Sequence, residues 1–130
     1  MPYVSPDEAI NVSAVNLAEL LREMGPLPWR RALVGTDATR WVLWAMPPGF
    51  EQPAHKHPRA DEVFHVLGGQ AVFRFEGQTG EHAVGPGTVL LARRGVAHAI
   101  SVPGPETLIL MVSVTPNENA ADETVEVRSP

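Results

Sequence analysis

The sequence predicts an all-β domain, a sandwich or barrel, preceded by one short helix. Three observations lead there. Seven short β-rich runs follow one another from residue 29 to residue 114, glycine and proline turns separate them at near-regular intervals, and no long helical period lies between them. At 130 residues the chain has the size of one ordinary domain, and 44% hydrophobic with 19% charged residues is a globular balance.

The elements follow in order. Residues 1–28 form an N-terminal segment with a helix, in which Ser13 can cap a run where Val15, Leu17, Leu20, Leu21 and Met24 recur at helical spacing until Gly25. That apolar stripe must pack on the domain or on a second subunit. Residues 29–115 form the β domain, with strands expected at 29–34, 41–46, 62–67, 71–76, 88–92, 98–102 and 107–114. Gly35-Thr36-Asp37, Pro47-Pro48-Gly49, Gly68-Gly69, Gly77 to Gly80, Gly85-Pro86-Gly87, Gly95 and Pro103-Gly104-Pro105 supply the turns. Residues 116–130 are polar until Val125 and Val127 and read as a tail with at most one edge strand.

Several function classes are disfavoured at once. A formal charge of -5, with no basic run longer than Arg30-Arg31 or Arg93-Arg94, gives no footprint for nucleic acid. No apolar stretch reaches membrane-span length and no signal-peptide pattern opens the chain, so a cytoplasmic protein that is not membrane-bound is expected. With no cysteine, disulfides, thiolate ligands and a cysteine nucleophile are excluded. A metal would have to use histidine, carboxylate or water.

The segment 49–69 carries such donors. Side chains alternate along a strand, so His55 and His57 project to one side and can converge on one ion. Pro58 breaks the ladder after them, which lets the next strand present Glu62 inward although its separation from His57 is odd. After the Gly95 turn, His98 opens an apolar strand and adds a third imidazole. Three nitrogens and one carboxylate suit one divalent transition ion, Fe, Mn, Ni, Cu, Co or Zn, rather than Ca or Mg.

These residues resemble a known family. Gly49, His55, His57, Glu62 and Gly69 fill every position of the first cupin motif, G(X)5HXH(X)4E(X)6G. The second motif, G(X)5PXG(X)2H(X)3N, falls on Gly87, Arg93, Gly95, His98 and Val102, with arginine in place of its proline and valine in place of its asparagine. The chain is similar to small single-domain cupins, and this implies a jelly-roll-like β-barrel holding one metal through His55, His57, Glu62 and His98. The resemblance also implies a homodimer. The functional expectation is a metal-dependent enzyme on a small oxygen-bearing organic substrate, with dioxygenase-type oxidoreductase chemistry first and isomerase or lyase chemistry next. Glu62 is the candidate catalytic base besides being a ligand. The alternative is a non-catalytic cupin that binds a small metabolite or sugar, and a purely structural metal is a third reading.

Other residues are weighed against packing. Phe64 and Val66 share the parity of Glu62, and Phe73, Phe75, Ile100 and Val102 are expected to fill the lumen with an apolar wall. His65 falls on the opposite face from Glu62, toward the surface or a subunit interface, and His82 lies in an expected loop. One face of the strand bearing Trp41, Trp44 and Met46 looks into the cavity, and either parity satisfies the pattern. Arg40, Arg59 and Arg74 could anchor a carboxylate, with surface solvation the leading reading.

Overall fold

A computed structural model describes residues 3–117 and 125–126. The helix is shorter than its apolar spacing predicts: α1 (Leu17–Leu21) starts at Asn16, whose side chain accepts from Glu19 N at 2.9 Å, and not at Ser13. Val15 and Met24 are accordingly exposed. The stripe still finds its cover, because Leu20 packs with Leu33 and Leu43 on the outer face of the chain's own first sheet.

Ten strands follow among the described residues: β1 (Trp29–Gly35), β2 (Arg40–Met46), β3 (Glu51–Lys56), β4 (Asp61–Gly68), β5 (Ala71–Phe75), β6 (His82–Val84), β7 (Val89–Ala92), β8 (His98–Ser101), β9 (Leu108–Thr115) and β10 (Val125–Glu126). They form two five-stranded antiparallel sheets, ordered β1-β2-β9-β4-β7 and β10-β3-β8-β5-β6, and together make a jelly-roll barrel. The expected tail strand is β10, paired with β3; Val127 and most of the segment 116–130 lie outside the described residues. His82, expected in a loop, begins β6 and is exposed.

Period-two alternation decides what fills the barrel. In β4, Glu62, Phe64 and Val66 are buried while His65 between them is exposed. Phe73, Phe75, Ile100 and Val102 join Phe64, Val66, Leu90, Leu110 and Val112 in one core between the sheets, as their parity requires. On β2 the inward parity belongs to Trp44 and Met46, and Trp41 is exposed on the outer face. Arg40 is a correction: it is completely buried, because its partner Val114 on β9 is inward-facing, and its Nη1 donates to Asn117 Oδ1 at 3.3 Å. Arg59 and Arg74 are exposed, as solvation predicts. No helix among the described residues is long and apolar enough to cross a membrane.

Candidate metal centre

Strand register brings the donors together. His55 on β3 pairs with His98 on β8, and His98 pairs with Phe75 on β5, so these three side chains form one inward row of the second sheet. Across the barrel Glu62 on β4 pairs with Ala92 on β7 and with Val114 on β9, forming a row of the first sheet. His55, Glu62 and His98 are buried, and their ligating atoms all lie within 4.8 Å of one another.

Simple alternation is modified around the first histidine. Pro53 cannot donate to the ladder, and the β3–β8 register shifts between Gln52 and His55, which re-aims the strand just before its ligand. β3 ends at Lys56, so His57 follows the strand rather than belonging to it. It is buried nonetheless, with Nε2 3.2 Å from Glu62 Oε1, and Gly95 N donates to its carbonyl at 2.7 Å. The structure thus places His57 against Glu62, adjoining the three-residue group instead of inside it.

The neighbours fix which nitrogen faces inward. His55 Nδ1 lies 3.2 Å from the Pro53 carbonyl and His98 Nδ1 3.5 Å from the Val96 carbonyl. A carbonyl only accepts, so each Nδ1 carries a proton, and Nε2 is the nitrogen that each ring turns toward the centre. His55 Nε2, His98 Nε2 and Glu62 Oε1 are fully buried and have no aligned hydrogen-bond partner. His98 Nε2 is 3.0 Å from Glu62 Oε1, a separation at which one shared proton, or one ion in its place, holds the two atoms together.

Charge agrees with this donor set. Burial, then the neighbouring His98, lower the pKa of His55 to about 4, so it is neutral at pH 7. Burial opposes ionisation of Glu62, but the adjacent His57 and His98 outweigh it and hold the carboxyl well below its usual range. Neutral imidazole and anionic carboxylate are the forms that ligate metal. The residues therefore fit a divalent transition ion, since buried polar atoms without partners are otherwise costly.

Sequence reasoning missed the clamp beside the site. Asp61, next to Glu62, accepts from Arg94 N at 2.9 Å and from its guanidinium at 3.2 Å, tying the loop before His98 to the start of β4. Arg94 holds the Asp61 carboxyl below its ordinary value. Only proximity in the fold links two residues 33 positions apart.

A family model described as a cupin domain matches residues 42–114. No match was found among curated proteins. Among solved structures, the chain is similar to a conserved protein with a double-stranded β-helix domain from Klebsiella pneumoniae, at 23% identity and TM-score 0.75 over 92% of this chain and 94% of that one. It is similar to the DMSP lyase DddQ from Ruegeria pomeroyi, at 25% identity and TM-score 0.65 over 76% of this chain and 51% of that one. A predicted oxalate decarboxylase from Thermotoga maritima aligns at 23% identity and TM-score 0.62, over 67% of this chain and 78% of that one.

Proposed function

The chain belongs to the cupin family, and from that premise we propose that it is a metal-dependent enzyme acting on a small oxygen-bearing organic substrate. The observation that supports this best is the convergence of three buried donor atoms, His55 Nε2, Glu62 Oε1 and His98 Nε2, that lack aligned partners. In this reading His57 is the fourth ligand, next to Glu62.

When bound, a divalent transition ion supplies Lewis acidity toward a substrate oxygen. The chain's residues do the rest. His55 and His98 present ring nitrogens whose orientation is set by the Pro53 and Val96 carbonyls. Glu62 stays anionic through the working pH range, as a ligand first and a proton acceptor second. Phe64, Phe73 and Phe75 keep water from the pocket and select a substrate with an apolar body. Dioxygen-dependent oxidation heads the reaction classes. A lyase reaction is the second reading, favoured by the likeness to DddQ.

The test is elemental analysis of protein purified without added metal or nickel affinity, beside His98→Ala and His57→Ala. Near-stoichiometric Fe, Mn, Ni, Cu, Co or Zn is expected in the parent protein. It should disappear in His98→Ala and fall well below stoichiometric in His57→Ala, since each variant removes a ligand. A protein that holds no metal and takes none up refutes the proposal and returns the chain to the non-catalytic binding reading.

A further inference from the structure

The two sheets each end at one side of the barrel, the first at β7 and the second at β6. Between these free edges lies a cleft of about 250 Å³ whose lining includes Phe75, Gln78, His82, Val84, Leu90 and Leu91. Its lining reaches the metal-site row at Phe75. Phe75 pairs directly with His98, and its ring centroid lies 6.3 Å from the imidazole of His98 and 5.6 Å from that of His82. One phenyl ring thus separates the rim histidine from a ligand of the candidate metal centre.

Phe75 is 5% exposed, so it closes the inner end of the cleft. Among the side chains that line the cleft, Phe75 alone belongs to the row that carries a metal-site histidine. The cleft walls are apolar, with Val84, Leu90 and Leu91, while the rim carries a polar pair in which His82 Nε2 and Gln78 Oε1 are 2.7 Å apart.

We propose that this β6–β7 cleft is the binding site for the apolar body of the metal's ligand, and that Phe75 is the specificity-determining residue limiting the size of what reaches the metal. The ligand class is a small molecule with an oxygen donor at the inner end, an apolar middle and a hydrogen-bonding outer end that meets Gln78 and His82. The inference rests on the metal reading above.

The experiment uses the cobalt-loaded protein and two hydroxamates that share a metal-binding head, acetohydroxamate and benzohydroxamate, with binding read from the visible cobalt spectrum. Phe75→Leu shortens the gate and keeps an apolar side chain. It should improve benzohydroxamate binding relative to acetohydroxamate by about tenfold, the scale of a fitted apolar pocket. Leu91→Trp, at a side chain 47% exposed and therefore tolerant, narrows the cleft. It should weaken benzohydroxamate by a similar factor and leave acetohydroxamate within about twofold. Cobalt binding with both variants showing the parent's selectivity overturns the cleft and leaves the metal centre standing. Failure of the parent protein to take up cobalt overturns both.

Discussion

Two glycines of the same motif should respond very differently to alanine. Gly49 and Gly69 both have positive φ, at 85° and 74°, a region where any Cβ is strained. At Gly49 an added Cβ meets nothing within 4 Å. At Gly69 it would overlap the Thr107 carbonyl oxygen and lie 2.9 Å from Leu108 Cα. Leu108 opens β9, which is hydrogen-bonded on both sides, to β2 and β4, and is fully buried, so its backbone cannot retreat without disturbing two strand pairs. Gly49→Ala should therefore cost the left-handed penalty alone, about 1 kcal/mol. Gly69→Ala adds an overpacking cost of about 1–3 kcal/mol, for a total of about 2–4 kcal/mol. For a chain of 130 residues, 1 kcal/mol corresponds to about 4 °C in Tm. The expected losses are thus about 4 °C for Gly49→Ala and about 8–16 °C for Gly69→Ala, measured by circular dichroism on metal-free protein. Equal losses for the two variants would refute the packing argument.

Acidification should destabilise the metal-free protein. His55 stays neutral in the fold down to about pH 4, whereas in the unfolded chain it takes up a proton near its ordinary 6.5. Between those values the unfolded state binds more protons, so stability falls as pH drops, by on the order of 2–3 kcal/mol. Glu62, lowered in the fold, adds loss in the same direction below its ordinary 4.5. A urea midpoint that does not change from pH 7 to pH 5 would contradict this. In the core, Phe73 is fully buried with its ring 5.0 Å from that of Phe64, and Phe73→Ala should cost about 3–5 kcal/mol in urea unfolding. A cost below about 1 kcal/mol would mean the barrel interior collapses around the gap. A homodimer, implied by the family resemblance, predicts twice the chain mass by light scattering at micromolar concentration; the mass of a single chain would dismiss it.

Much of the site was legible because its information is local. His55, Glu62 and His98 are brought together as their spacing suggests, whereas His57 follows the end of β3 and meets Glu62 instead of sharing the side of His55 along the strand, and the inward parity of Phe64, Phe73 and Ile100 follows from the period of two. The helix start is not legible because Ser13 and Asn16 are both competent caps, and the observed helix begins at Asn16, with Leu20 packed on Leu33 and Leu43. Charge is a good guide to exposure on average, and Arg40 departs from it. Its burial depends on β9 and Asn117, far along the chain.

The sequence by itself determined the all-β class, the turn positions, the chemical type of the donors and the faces they share, since each depends on neighbours a few residues away. Tertiary structure decided which atoms meet: the Nε2 atoms turned inward by backbone carbonyls, His57 set against Glu62, the Asp61–Arg94 clamp, and the cleft that Phe75 closes. Those depend on strand pairing between segments tens of residues apart, and register across two sheets is a property of the whole barrel.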